Sequence, residues 1–341
     1  MKVSICLPTL NSIRYLPDRL SSIVGQSYEN WELIVVDSGS SDGTIQMVED
    51  LRAQDERVQI IQTPPDGIYP NFNRGIEFAN AELVYIATSD DTMADNFLEK
   101  MVSALESNQD CDIAHCPMRV LSADGSLGID WWREESIFAR STGSLLIENH
   151  KRLAPLDGVL CLLGNNVYSS VTQMLIRKCL FDRVGGYKST WGSLGDFHWN
   201  LRAGLVANTI HVPDTWGGWR MHPEQATAGV RLGSMDHQIS IDQMIADVLD
   251  GLDRFVEKSE QVEICGRLVP RARVLRDYLR EYEGCRSIFH RRLFMLRQLV
   301  DGKLVAWTHL CALLGGGSHW VRDAPELVVS WFDDDVLVPL G

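Results

Sequence analysis

Basic residues are the first thing this chain is short of. Lys and Arg number 32 against 46 Asp and Glu, a net charge of −14 in 341 residues. A protein that grips nucleic acid at large needs basic surface to displace the counterions around phosphate, so that class is excluded. A single nucleotide, whose charge a metal or a few local groups offset, is not. Paired cysteines are missing too. The eight cysteines, at 6, 111, 116, 161, 179, 265, 285 and 311, form no C-x-x-C, and several lie inside apolar runs. They read as reduced, buried thiols rather than a zinc site or a disulfide framework. No stretch reaches the roughly 18 uninterrupted apolar residues of a membrane span. The opening MKVSICLPTLNS lacks signal-peptide architecture, so the expected setting is the cytoplasm. Glycine is absent from residues 8 to 19. That removes the GxGxxG of a dinucleotide-dependent dehydrogenase and the Gly-rich triphosphate loop of a nucleotidyltransferase. Repeats and low-complexity segments are absent as well.

What is present is a globular composition, 45% hydrophobic and 23% charged, enough for a sizeable core. The length allows one large domain or two ordinary ones. Over the first 120 residues strand and helix patterns alternate. Val3–Leu7, Trp31–Val36, Val58–Ile61, Leu83–Ala87 and a run near Asp112–Pro117 have strand character. Between them, Leu16, Leu20, Ile23 and Val24 mark one helical face, and Ile45, Val48 and Leu51 mark another from Thr44. Further helices are expected over about 70–79, with Pro70 in the first turn, and over about 94–107. This spacing predicts βαβ units, an α/β fold with a mainly parallel sheet flanked by helices. Beyond residue 120 the pattern loosens. Trp131-Trp132 and Gly164-Asn165-Asn166 are expected in loops around a pocket, Val171–Ile176 in a strand and Gly185-Gly186-Tyr187 in a turn. From about Ser234 the chain is mostly helical. The expected division is 1–230, itself split into 1–118 and 119–230, and a helical extension over 231–341.

In such sheets ligands bind beyond the carboxyl ends of the strands. Thr9, Asn11, Asp37, Asp42, Asp66, Asp90 and Asp91 all fall at those ends. In ELVYIATSDDTM a strand of buried character runs into the adjacent carboxylates Asp90 and Asp91, which repel each other unless something positive approaches. A helix cap is the plain alternative for that pair. Asp42, two residues before Thr44, reads as a cap.

Four pieces come in order: Pro8-Thr9-Leu10-Asn11; Val35-Val36-Asp37-Ser38-Gly39-Ser40-Ser41-Asp42-Gly43-Thr44; Asp66-Gly67-Ile68-Tyr69 with Asn73-Arg74-Gly75; and Thr88-Ser89-Asp90-Asp91. Over roughly residues 3–225 the chain resembles a family 2 glycosyltransferase of GT-A fold. The DGIY…NRGI stretch resembles the branch that builds bacterial surface polysaccharides. The resemblance implies an inverting transfer from a nucleotide-sugar donor, a UDP-sugar first, to a saccharide or lipid-linked acceptor. It implies Pro8 and Thr9 at the base site, Asp37 accepting from the base, and Asp66 by the base or ribose. Asn11, Asn73 and Arg74 join the donor contacts, Arg74 near the diphosphate. Mg²⁺ or Mn²⁺ is the implied partner of the acid pair, since hard cations take oxygen ligands and phosphate. Asp91 would be the ligand, and Asp90 the ribose or metal-shell contact.

Gly195-Asp196-Phe197-His198-Trp199-Asn200-Leu201-Arg202 resembles the family's Glu-Asp pair followed by Leu-Arg, with Gly195 in place of the first acid. Asp196 is the implied base that deprotonates the acceptor hydroxyl. His198, titrating nearer neutrality, is its rival. Trp219-Arg220-Met221-His222-Pro223 resembles the family's R-x-H element, with Arg220 toward phosphate and His222 in the metal shell, at the diphosphate, or purely structural. Trp191, Trp199, Trp216 and Trp219 line an acceptor site or belong to the core. A catalytically degenerate GT-A domain serving as a binding or scaffold module is the alternative function. Phe289–Arg297, basic and apolar, fits an anionic membrane surface, a packed helix or an oligomer interface.

Overall fold

The computed structural model describes residues 1–136, 144–164, 166–225, 234–284, 328–329, 331–332 and 336–340. The first part runs β1 (Val3–Thr9), α1 (Leu16–Val24), β2 (Trp31–Asp37), α2 (Thr44–Arg52), β3 (Val58–Gln62), α3 (Ile68–Phe78), β4 (Leu83–Ile86), α4 (Phe97–Ser107) and β5 (Ile113–His115). Then follow β6 (Met118–Leu121), β7 (Leu127–Asp130), α5 (Trp131–Glu134), α6 (Ser144–Ile147), β8 (His150–Arg152) and α7 (Leu156–Leu162). After these come β9 (Met174–Arg177), α8 (Cys179–Val184), α9 (Gly195–Gly204), β10 (Thr209–His211) and β11 (Gly217–Arg220). The last described elements are α10 (Met235–Asp250), α11 (Lys258–Glu263), α12 (Val269–Gly284) and β12 (Leu337–Pro339).

One sheet has the order β12-β8-β10-β5-β9-β4-β1-β2-β3. The run β4-β1-β2-β3 is parallel, as the alternating pattern predicts. β1 and β2 are buried at every position, because helices cover both of their faces. Ile5, Leu7, Leu33 and Val35 face α1, α2 and α4. Cys6, Ile34 and Val36 face α3 and α8. The sheet turns mixed beyond β4. β9 lies antiparallel between β4 and β5, since the chain reaches it by a long excursion through β6, β7 and α7 rather than by a crossover helix. Its first residue therefore sits at the same edge as the last residues of β1 and β4. β6, β7 and β11 form a second, three-stranded sheet beside that edge.

Several element bounds differ from expectation for identifiable reasons. α4 starts at Phe97 rather than Ala94, because the Ala94 N–H donates to the Trp216 carbonyl and Met93 bridges to Gly217. α3 starts at Ile68, two residues before Pro70, where a missing N–H is still harmless. Val171–Gln173 is a tight helical turn, not strand, fixed by reciprocal bonds between Ser170 and Gln173. Val24 is exposed, one step round the helix from Ile23.

A third core joins α7 and α9 to α10 and α12, with Leu156, Leu160, Leu201 and Leu205 against Ile241, Met244, Val248 and Leu275. The described C-terminal helices α10 and α12 are thus packed on α7 and α9. Among the described residues no helix is long and apolar enough to cross a membrane. The boundary expected near 230, Asn165 and the basic stretch Phe289–Arg297 lie outside the described residues.

Candidate active site

The carboxyl ends of β1, β2 and β4 open into a cleft of about 490 Å³. Pro8, Thr9, Asp90, Asp91 and Asp196 line it, together with Tyr69, Ser170 and Trp219. Asp90, Asp91 and the expected base therefore share one cavity, while Asp37, Asp42 and Asp66 are not among its lining residues. Trp219 is the only one of the four expected tryptophans on that wall among the described residues. Trp199 is buried in the core beneath α9, stacked between Phe181 and Tyr187.

Asp37 ends β2 and is buried. Its carboxylate accepts from the Thr9 hydroxyl at 2.9 Å, from the N–H groups of Gly39 and Ser40 at 3.0 Å each, and from the Ser40 hydroxyl at 2.6 Å. It holds the loop that Ser38 carries into the cleft wall. Asn11, at φ 50°, accepts from the Ser41 N–H at 2.9 Å and so ties the β1 loop to the β2 loop. Asp42 accepts from the Thr44 N–H at 3.0 Å and from the Ile13 N–H at 3.1 Å, one residue ahead of Gly43, which stands at the cap of α2. Asp66 and Arg74 form a two-pronged pair, with 2.7 Å from Arg74 Nη1 to Asp66 Oδ1. That guanidinium holds the Asp66 carboxyl below its ordinary range. The pair sits beside the cleft, and Gly67 and Asn71 form the wall there.

Asn73, expected among the donor contacts, is tied to the backbone of Tyr187. Its amide donates to the Tyr187 carbonyl and accepts from the Tyr187 N–H, both at 2.8 Å. It lies under Gly186, where an added Cβ would come within 2.4 Å of Asn73 Oδ1. The side chain leaves α3 on the face turned to that tight turn and staples the two together, and it is not among the residues lining the cleft.

Asp91 is buried, and its Oδ1 accepts from the Arg220 N–H at 2.7 Å while the Thr88 hydroxyl donates to Oδ2. Burial pushes its carboxyl up to about 7, and the charge of Asp90 pushes the same way. Asp90 is more exposed and meets His222 Nε2 at 2.9 Å. His222 rests against the Tyr15 ring at 4.5 Å, and its buried Nδ1 has no partner among the described residues.

Arg220, expected as a phosphate contact, is not among the residues lining the cleft. Its guanidinium is buried and engaged by the chain itself, donating to the Asp90 carbonyl at 2.7 Å and to Asp18 at 2.8 Å. It braces the acid loop from behind. Sequence reasoning missed a second cation there. Arg19 is fully buried, donates to the Thr88 carbonyl at 2.8 Å and lowers the cost of charging Asp91. Its signal was an arginine placed between Leu16, Leu20 and Ile23 on an apolar helix face.

Among the described residues no cluster of three or more His, Cys, Asp or Glu side chains forms a ready metal centre. The donor set nevertheless fits a divalent cation that arrives with phosphate. Two adjacent carboxylates, one of them driven toward neutrality by burial and then by its neighbour's charge, are relieved by a hard cation.

Asp196 opens α9 across the cleft. Its Oδ1 accepts from the Phe197 N–H at 2.7 Å, and its own N–H donates to the Tyr69 hydroxyl oxygen at 3.2 Å. Burial pushes its carboxyl up to about 6. His198, the rival base, is buried and points to Asp247 at 2.9 Å, and burial lowers it to about 4. It does not line the cleft. The absent acid at Gly195 also has a physical reason. A Cβ there would lie 2.5 Å from Tyr69 Cε2 and 2.6 Å from the Lys188 carbonyl oxygen.

Asp90 and Asp91, at the carboxyl end of a strand in the parallel run of the sheet, thus face Asp196 across one cleft. Residues 4–150 match the family model described as Glycosyl transferase family 2. An uncharacterized glycosyltransferase of Haemophilus influenzae is 32% identical over 235 residues, covering 66% of this chain and 67% of that protein. The chain belongs to glycosyltransferase family 2. It spans less than half the length of several other curated relatives it matches. The fold is shared with S. aureus TarS 1-349 in complex with UDP-GlcNAc, at TM-score 0.57 and 19% identity, covering 89% of this chain and 93% of that one. It is shared also with the mannosyltransferase PcManGT from Pyrobaculum calidifontis in complex with GDP-Man and Mn2+, at TM-score 0.54 and 17% identity, covering 97% and 84%. The GT-A expectation therefore holds.

Proposed function

We propose that this enzyme is an inverting, metal-dependent glycosyltransferase. It moves a sugar from a nucleotide-sugar donor to a hydroxyl of a saccharide or lipid-linked acceptor, in the making of cell-surface polysaccharide. The observation that carries this reading is the single cleft with Asp90 and Asp91 on one wall and Asp196 on another.

The donor lies over the strand ends. Pro8, Thr9 and the loop held by Asp37 take the base, and the Asp66–Arg74 pair takes the ribose side. Asp91, with Asp90 and His222 beside it, is placed to hold Mg²⁺ or Mn²⁺, which when bound neutralises charge gathering on the leaving diphosphate. Asp196 takes the proton of the acceptor hydroxyl. With Oδ1 engaged by the Phe197 N–H, Oδ2 is the oxygen left to receive it. A carboxyl at about 6 is ionised at neutral pH yet more basic than an ordinary aspartate, which is what a general base needs. A direct displacement with the base on the face opposite the leaving group inverts the anomeric carbon.

The degenerate-module alternative rested on Gly195. The Tyr69 ring fills the space a side chain would need, so a glycine there does not by itself mark a dead site. We further propose that residues 1–225 and helices α10–α12 work as one catalytic unit on the cytoplasmic side. On this reading the C-terminal helices bring it to a membrane-borne acceptor.

The testing experiment is a thermal-shift panel of UDP, GDP, dTDP and CDP, each with and without Mn²⁺. A ligand that binds only the native state raises the Tm by mass action. One nucleotide raising Tm, and more so with metal, supports the reading and names the donor class. A flat panel removes the donor site from the strand ends.

A further inference from the structure

We infer that Tyr69 is a positioning residue for the base Asp196, and that Gly195 is the glycine this arrangement requires. The inference rests on the reading of Asp196 given above.

Tyr69 lies in the first turn of α3 and Asp196 in the first turn of α9, 127 residues apart in sequence. The hydroxyl oxygen of Tyr69 accepts from the Asp196 N–H at 3.2 Å. A helix begins with N–H groups that have no intrahelical partner, and Leu194, at the cap of α9, supplies no side-chain acceptor. Tyr69 therefore does from another element what a capping Ser or Asp does locally. It fixes the backbone on which the Asp196 carboxylate is mounted.

The ring is held as firmly as the hydroxyl. It stacks on Tyr187 at 6.1 Å and 15°, and meets Phe72 edge-on at 5.9 Å. Its Cε2 and Cζ occupy the space where a Cβ on residue 195 would be, at 2.5 and 2.7 Å. A side chain at 195 and a tyrosine ring in this position exclude each other. The glycine and the tyrosine are one device, in which an aromatic hydroxyl replaces whatever an acid at 195 does to the start of the helix.

The hydroxyl keeps its proton. Burial and the neighbouring Asp196 charge both push its pKa well above the ordinary tyrosine value. No acceptor for that O–H is found among the described residues, and Tyr69 lines the cleft. The phenol thus takes a hydrogen bond from the helix and can give one to the acceptor hydroxyl beside the base, not to the donor.

The test compares Tyr69→Phe with Asp196→Asn in the full-length chain. Release of nucleoside diphosphate is followed from the sugar nucleotide whose base the thermal-shift panel selects. Tyr69→Phe keeps the ring packing and loses only the acceptor oxygen. Its kcat is expected to fall about 10- to 100-fold, the cost of a slightly misplaced reacting group, with the donor KM and the nucleotide-induced Tm shift unchanged. Gly195→Ala, which forces the ring aside, is expected to show the same split. If Asp196→Asn is inactive while Tyr69→Phe turns over at the parent rate, or loses rate only through a higher donor KM, the role of Tyr69 is overturned and that of Asp196 stands. If Asp196→Asn retains turnover, the base assignment falls, and this inference falls with it.

Discussion

The Arg220 backbone N–H donates to Asp91 Oδ1 across 2.7 Å, joining two residues 129 positions apart. That bond pins the acid loop after β4 to β11 in the second sheet. The Arg220 side chain then reaches round to the Asp90 backbone carbonyl, so the loop carrying both acids is held from one residue, while the Asp90 carboxylate meets His222. A pair of like charges needs this bracing, because a loop free to relax would separate them. Burial of Asp91, with the charge of Asp90 held beside it, pushes the Asp91 carboxyl up to about 7.

That raised pKa gives the first prediction. The unfolded Asp91 titrates near its ordinary value of 3.8 and the folded one at about 7. Between those pH values the metal-free native state holds a proton that the unfolded state has lost. Its stabilising contribution is therefore full below about 4 and declines as pH rises through 7. Metal binding requires the ionised form and expels that proton. The Mn²⁺-dependent rise in Tm of the UDP-bound protein is expected to be larger at pH 8 than at pH 6, and EDTA should abolish it. Asp91→Asn keeps an oxygen for the Arg220 N–H yet should lose the metal-dependent rise at both pH values. Equal shifts at pH 6 and 8 in the parent would remove Asp91 from the metal.

Asp196 supplies the second prediction. Asp196→Asn retains an acceptor for the Phe197 N–H and removes the base, so turnover should fall about 10²- to 10⁴-fold with nucleotide binding near the parent level. In the parent, kcat should climb between pH 5 and 7 and then level off, following ionisation near 6. Stability runs the other way. The folded pKa is raised, so charging Asp196 costs stability as pH rises through 6. The asparagine variant should melt a few degrees above the parent at pH 8 and level with it at pH 4. A kcat profile flat from pH 5 to 8 would point to another base.

The local parts of this structure were legible because their causes are local. The strands and helices from β1 to β5 follow from apolar runs and three-to-four-residue spacings, and most bounds fall within a few residues of expectation. The acids at 37, 90 and 91 were found because a strand that turns polar has reached its end. What escaped depends on contacts across the chain. The antiparallel entry of β9, which delivers Ser170 to the cleft, is a property of topology. The inward commitment of Arg220 depends on Asp18 and Asp90, far away in sequence. Gly195 read as a loss until Tyr69 was seen to occupy its space.

Asn73 provides the third prediction, one that separates scaffold from site. Asn73→Ala deletes both bonds to the Tyr187 backbone and leaves a buried N–H without its acceptor, a loss of about 1–3 kcal/mol. The Tm should drop by several degrees, while the nucleotide-induced shift keeps its size. A variant with parent Tm but no nucleotide response would restore Asn73 to the donor site.

The fourth prediction concerns the C-terminal helices. Ile241, Met244, Ile245, Val248 and Leu252 are all buried against the α7–α9 layer. Burying each such side chain is worth about 1.5–3 kcal/mol. Five of them amount to about 7–15 kcal/mol, the scale of a domain's whole net stability. The Asp247 carboxylate also meets the buried His198 ring, two residues after the proposed base. A chain ending before Ser234 should therefore fail to give a cooperative melt and should bind an apolar dye, even though every residue assigned to the donor and the base is still present. A truncated chain that melts cooperatively and binds nucleotide as the parent does would make those helices a separate appendage, and their function would then have to be sought in docking rather than in holding α9 in place.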